Sequence, residues 1–318
     1  MSSLPQRPFG STREKVPVLA MGCGFPIGYV DFETSVATIR RAFDLGLRYF
    51  DTSPLYRGGE SQAILGEALA GEKREHFLAT KIGHFKDAPS FRSVAAMEAQ
   101  LRENLRLLRR DSVDLLQIHE ADWDAWWHDR PTPGFRELFT LGAPHNFANA
   151  PAIQFLRNAK ARGLCRYIGI TGNNARHLNQ LLRELEGMDS VLVAYNYMPL
   201  NASAREQVLA VAGDNMMASI VAGIFTFITR IPEGWRTEGT YFGKHADEQL
   251  VQFQKLCTDA GLPPAEMALR WVGADTRITT LLLGACRPEE VEANVAAFEK
   301  GPLPSDLHAA IDAIAARF

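Results

Sequence analysis

Short apolar, β-branched runs alternate with amphipathic stretches nearly from end to end of this 318-residue sequence. That alternation is the mark of parallel βα units. The runs are VLAMGCG from Val18, RYFDTS from Arg48, FLATKIG from Phe77, VDLLQIH from Val113, YIGITG from Tyr167, VLVAYNY from Val191, ASIVAGIF from Ala218 and TTLLLG from Thr279. Between them lie FETSVATIRRAFDLG, FRSVAAMEAQLRENLRLLRR, APAIQFLRNAKARG and PEEVEANVAAFEK, with apolar residues at helical spacing and Gly or a basic residue near the end. Eight strands interleaved with helices predict one α/β domain over residues 1–318, a (β/α)8 TIM barrel, rather than two doubly wound domains.

Three segments exceed a minimal barrel. The Pro- and Gly-bearing stretch up to about Pro17 reads either as a hairpin capping the barrel bottom or as a loose terminus. Residues Glu120 to Ala150 hold Trp123, Trp126 and Trp127 without a strand period and predict a long loop at the C-terminal face. Thr226 to His245 reads as a second lid there, ahead of the helix DEQLVQFQKLCTDAG.

Charge narrows the partners. Lys plus Arg number 34 against 37 Asp plus Glu, with no single-sign block to grip a nucleic acid or an anionic membrane. A small molecule is the expected partner, and oligomeric state is left open. Four cysteines without a C-x-x-C pair argue against a zinc ribbon or a disulfide framework. His119-Glu120 lacks H-E-x-x-H spacing, so no metal is expected. With no apolar signal core at the N-terminus and no window of about 20 apolar residues, the expected location is the cytoplasm.

In a barrel of this kind the site forms at the C-terminal ends of the strands. Strand two ends in Asp51, strand three in Lys81 and strand four in His119, and the loop after strand two presents Tyr56. Singly, each has a structural reading: a turn-forming Asp, a loop aromatic, a strand-end Lys reaching for water, a satisfied His. Together they deliver ionisable groups to one mouth. A tyrosine of ordinary pKa about 10 is a poor acid or base at neutral pH, and an ammonium within about 4 to 6 Å lowers that value. Lys81, held by Asp51, is placed to do this. GCGFPIG is not the G-x-G-x-x-G fingerprint and reads as a tight loop. The Trp-rich segment reads as loop packing or as a stacking surface for substrate.

The set Asp51, Tyr56, Lys81 and His119 resembles the catalytic tetrad of the aldo-keto reductases. GLRYFDTSPLYRGGESQAILGEAL, FLATKIG, DSVDLLQIH, ARGLCRYIGITGNN and LLLGACRPEEVEANVAAF are similar to that family's landmarks over nearly the whole chain. The resemblance implies a barrel that binds NAD(P)(H) without a Rossmann fold. It implies Tyr56 as general acid/base, Lys81 and Asp51 tuning it, and His119 orienting substrate. Thr171, Gly172 and Asn173 stand where the family holds the nicotinamide carboxamide, Gly172 being a departure. Val193 stands where the family usually has Gln, and Tyr197 resembles its stacking aromatic. Ala222 and Gly223 fall at the pyrophosphate, and Gly284, Cys286, Arg287, Glu290 and Asn294 at the adenosine end. Glu290 would repel a 2′-phosphate and Arg287 would attract it, a balance that implies NAD over NADP. Phe25, His84 and Trp123 are the candidate substrate contacts.

DTSPLY and the C-terminal landmark look most like the branch of L-galactose, L-fucose and D-threo-aldose dehydrogenases, which oxidise a lactol at C1. Pyridoxal dehydrogenases share that branch. The expected function is hydride transfer between nicotinamide and a sugar lactol or an aldehyde or ketone carbonyl. The alternatives are a pyridoxal-type or general aldehyde reductase, a non-catalytic cofactor-binding subunit like the potassium-channel β subunits, and an unrelated lyase with Lys81 as a Schiff base.

Overall fold

The eight apolar runs form the eight parallel strands of a closed barrel, β1 Leu19–Gly22, β2 Tyr49–Asp51, β3 Phe77–Ile82, β4 Val113–Ile118, β5 Cys165–Gly172, β6 Ser190–Ala194, β7 Ala218–Ala222 and β8 Thr280–Leu283. Each pairs with its sequence neighbours, and β8 closes on β1 with Leu281 opposite Leu19. The structure, a computed structural model, describes residues 4–24, 29–128, 136–231 and 242–318. Among them no helix is long and apolar enough to cross a membrane.

Period-two alternation sorts each strand into an inner and an outer face. Tyr49, Phe77, Ala79, Leu115, Ile220 and Leu282 meet in an inner cluster, while Leu19, Phe50, Leu78, Leu116 and Val221 pack outward against the helices. The parity matters for the site: Asp51 shares the inward side with Tyr49, Lys81 with Phe77 and Ala79, and His119 with Leu115 and Gln117. Helices start where capping side chains permit. Asp31 accepts from Thr34 N at 2.8 Å ahead of Phe32–Asp44, and Ser93 from Ala96 N at 3.2 Å ahead of Val94–Leu108.

The N-terminal segment is a hairpin, Gln6–Pro8 against Lys15–Pro17. It drives the fully buried Phe9 into the barrel bottom, 4.9 Å from the Phe77 ring and 5.3 Å from Tyr167. Gly10 makes this approach possible, because at φ +58 a Cβ would lie 2.7 Å from Met216 O and 2.9 Å from Ala218 N. Gly10→Ala is expected to cost about 1–3 kcal/mol, read as a lower urea midpoint at unchanged slope; an unchanged midpoint would show that the hairpin is not pinned here.

The long segment after β4 is anchored by its tryptophans. Trp126 is fully buried and donates to Glu120 O at 3.1 Å, and Trp127 donates to Ala121 O at 2.8 Å. Ala121 N in turn donates to Thr171 O at 2.6 Å, tying the loop to β5. Of the second expected lid, residues 232–241 lie outside the described residues. Its two described flanks meet through Phe227 and Phe242, ring centroids 4.7 Å apart.

Candidate active site

The C-terminal ends of β1 to β8 surround a cavity of about 610 Å³ that is lined by Asp51, Tyr56, Lys81 and His119 together. Asp51 and Lys81 are almost wholly buried and ion-paired. Lys81 Nζ also donates to Thr52 O at 2.9 Å and approaches Tyr56 Oη at 3.4 Å. The other Asp51 oxygen accepts from Gln117 Nε2 at 2.9 Å. Tyr56 reaches this position because Arg57, Gly58 and Gly59 turn through three successive left-handed conformations, φ +51, +63 and +95. At Gly59 a Cβ would also come within 2.8 Å of Leu107.

His119 is held by Ser53, whose Oγ lies 2.8 Å from Nδ1 and already accepts from Leu55 N at 3.1 Å. With the Ser53 hydroxyl donating to Nδ1, the ring carries its proton on Nε2. Burial, then His84 and Lys81, holds this imidazole well below its ordinary pKa, so it is neutral. The DTS word thus supplies an ion-pair partner, a buried threonine and the holder of His119.

Tyr56 corrects one expectation. Burial, with Asp51 and Glu120 adding negative charge, pushes its phenol well above 10 instead of lowering it. Lys81 is close, but Asp51 neutralises most of its field. Burial likewise raises the Asp51 carboxyl against the pull of Lys81. The resting site therefore holds a neutral phenol and a neutral imidazole, two hydrogen-bond donors facing one cavity.

Of the expected cofactor residues, Thr171, Asn173, Ala222, Gly223 and Gly284 line the cavity. Tyr197 does not: its hydroxyl bonds Asp275 at 2.9 Å and Arg205 at 2.8 Å, and its ring packs on Trp271 outside the barrel. Tyr195, two residues earlier, lies on the cavity wall in its place, and the sequence reading missed it. Gly172 also stands off the cavity; a Cβ there would meet Leu178 at 2.9 Å, so glycine allows the helix Ala175–Glu184 to approach. Arg287, Glu290 and Asn294 lie at the cap and on the helix Pro288–Glu299, away from the cavity walls. Glu290 there accepts from Cys286 N at 2.6 Å. Phe25 lies outside the described residues. His84 and Trp123 sit behind the wall, edge-on to each other at 4.7 Å, rather than on it.

The reading also missed Gln117, Ser53, Glu120 and Asp122. Buried Asp122 accepts from Asn173 N at 2.7 Å and Asn174 N at 2.8 Å, and burial together with Glu120 pushes it up to about 7. Inward parity was available as a signal for Gln117, but nothing local marks the others.

Comparison with known proteins agrees with this geometry. The Aldo/keto reductase family matches residues 19–316. The chain belongs to that family. Among its relatives, L-galactose dehydrogenase of Arabidopsis thaliana is 29% identical over 309 residues, covering 93% of this chain and 89% of the relative. D-threo-aldose 1-dehydrogenase of a Pseudomonas species is 24% identical over 286 residues, covering 81% of each. The holo form of an aldo-keto reductase from Bacillus halodurans superposes with a TM-score of 0.74 at 23% identity, covering 99% of this chain and 97% of that one. The protein is thus an oxidoreductase of the aldo-keto reductase type, and it resembles the sugar dehydrogenase branch.

Proposed function

We propose that this protein transfers hydride between a nicotinamide dinucleotide and the carbonyl or lactol carbon of a small polyhydroxylated molecule, acting in the cytoplasm. The observation that carries the reading is the convergence of Asp51, Lys81, Tyr56 and His119 on one cavity. The named activities of the two sugar dehydrogenases support the substrate class.

The residues present fit a nicotinamide. Thr171 and Asn173 bring polar groups to the wall beside His119, and Tyr195 brings a ring. Ala222, Gly223 and Gly284 leave room for a dinucleotide to run outward. When bound, the nicotinamide supplies or accepts the hydride. The chain's own part is the proton. His119 Nε2–H and Tyr56 Oη–H both address the reacting oxygen, His119 fixing its direction and Tyr56 giving up its proton as negative charge develops there. Lys81, 3.4 Å from Tyr56 Oη, stabilises the phenolate left behind. In oxidation the same phenolate takes the proton of the substrate hydroxyl.

NAD is the proposed preference, supported by the exposed carboxylate of Glu290 at the start of the Pro288–Glu299 helix. Parallel titration with NADH and NADPH, read by quenching of tryptophan fluorescence, is expected to give micromolar binding with NADH the tighter. NADPH tighter by more than about tenfold would overturn the preference. Binding of neither by folded protein would overturn the function.

A further inference from the structure

Residues 173–175, which carry the chain from β5 into the helix Ala175–Glu184, are gripped from two sides. After β4, buried Asp122 accepts on Oδ2 from Asn173 N at 2.7 Å and from Asn174 N at 2.8 Å. After β6, the Asn196 side chain donates to Asn173 O at 2.7 Å and accepts from Ala175 N at 2.9 Å. These backbone groups lie past the end of the β5 ladder at Gly172 and ahead of the first helical turn, which Asn174 caps by accepting from Arg176 N at 3.1 Å. Neither strand nor helix can satisfy them, so side chains must. The loop after β4 reaches Thr171 as well: Glu120 N donates to Thr171 Oγ1 at 3.0 Å and Ala121 N to Thr171 O at 2.6 Å. Thr171 and Asn173 line the cavity, whereas Asp122 is enclosed, at 1% exposure, and does not.

The fit around this carboxylate is tight. A Cβ on residue 172 would lie 3.1 Å from Asp122 Cγ, so a side chain there would press on the group that holds the two N–H donors. The departure at Gly172 thereby makes room for Asp122 as well as for Leu178. Among the described residues Asp122 Oδ1 has no hydrogen bond, and the side chain's bonds to other residues go to Asn173 and Asn174. Burial and the charge of Glu120 both oppose its ionisation. A carboxylate kept in such a place is unfavourable unless its bonds do something the fold needs. What these bonds fix is the backbone that carries Asn173 to the cavity.

We propose that Asp122 is a positioning residue for the cofactor: by pinning the N–H groups of Asn173 and Asn174, it holds the Thr171–Asn173 stretch of wall where the nicotinamide end is received. The inference rests on the oxidoreductase reading above. Asp122 touches neither cofactor nor substrate and acts through Asn173.

The test compares NADH with ADP-ribose, which lacks the nicotinamide, by calorimetric titration of the intact protein. Native protein is expected to bind NADH about tenfold or more tighter than ADP-ribose. This arm needs no variant to fold, and a ratio near one overturns the proposal while the oxidoreductase reading stands, since the wall then contributes nothing for Asp122 to hold. Asp122→Ala is expected to weaken NADH by about 10- to 30-fold and ADP-ribose by no more than about twofold. Equal weakening of both would show a structural role alone. No change in either would show that the wall keeps its place without the carboxylate. Each of these overturns the proposal. Asp122→Asn keeps an oxygen for the two N–H groups and is expected to bring NADH back to within about threefold of native. Binding as weak as in Asp122→Ala overturns the proposal too, because supplying an acceptor is then not what Asp122 does. If native protein binds neither NADH nor NADPH, the functional reading falls and takes this one with it.

Discussion

Tyr56→Phe is expected to lower kcat by about 10²–10⁴-fold while leaving the dissociation constant for NADH within about twofold of native. The substitution removes a single oxygen. The ring keeps its edge-on contact with His119, centroids 5.8 Å apart, and Lys81 keeps Asp51 and Thr52 O as partners. What is lost is the proton that must reach or leave the reacting oxygen. His119 cannot replace it, because burial and the neighbouring His84 and Lys81 hold its imidazole neutral. Single-turnover kinetics with an aldehyde and NADH measure the chemical step directly. A rate within about threefold of native would remove Tyr56 from the proton-transfer role.

Lys81→Met is expected to destabilise the protein by about 3–5 kcal/mol at neutral pH, as well as to abolish turnover. It leaves the Asp51 carboxylate buried, with Gln117 at 2.9 Å as its remaining side-chain donor. Asp51 already titrates above the ordinary carboxylate range because burial outweighs the pull of Lys81, and losing Lys81 raises it further. Between the ordinary carboxylate value and the raised folded one, the folded variant holds a proton that the unfolded chain has released. Its stability therefore declines as pH rises from the ordinary carboxylate range to the raised folded value, and this group adds no further change above it. Urea unfolding at about pH 5.5 and about pH 8 checks both sign and size, and adding Asp51→Asn should recover much of the loss at the higher pH. Native-like midpoints at both pH values would mean that the buried pair carries little of the stability.

The barrel was legible before the structure because its signals are local. Each inward or outward choice follows from a period of two, and each helix from apolar spacing between caps such as Asp31 and Ser93. Asp51, Lys81 and His119 were legible for the same reason. Each ends an apolar strand, and parallel strands in a barrel deliver their ends to one face. The hairpin at the bottom was readable only as one of two outcomes. What decides it is Phe9 finding Phe77 and Tyr167, residues about 70 and 160 positions away along the chain.

Other misreadings have the same origin. Tyr195 and Tyr197 lie two apart in one apolar word, and β6 ends at Ala194. Beyond it the period of two no longer applies, so no pattern tells which ring meets the cavity and which meets Trp271. Gly172 looked like a cofactor position because of the motif around it, whereas its small size serves the contact with Leu178.

By itself, then, the sequence determined the eight-stranded barrel, the face that carries the site and the identities of its four converging side chains. The tertiary structure alone decided their protonation. Whether Lys81 lowers the Tyr56 phenol depends on the net field of Lys81, Asp51 and Glu120 in a desolvated space, and that sum is set by distances between strand ends. It also decided that Glu120 stands at the cavity wall. A carboxylate after a strand is an ordinary solvated residue until its neighbours are placed, and here Asn173 after β5 and His84 after β3 meet its two oxygens.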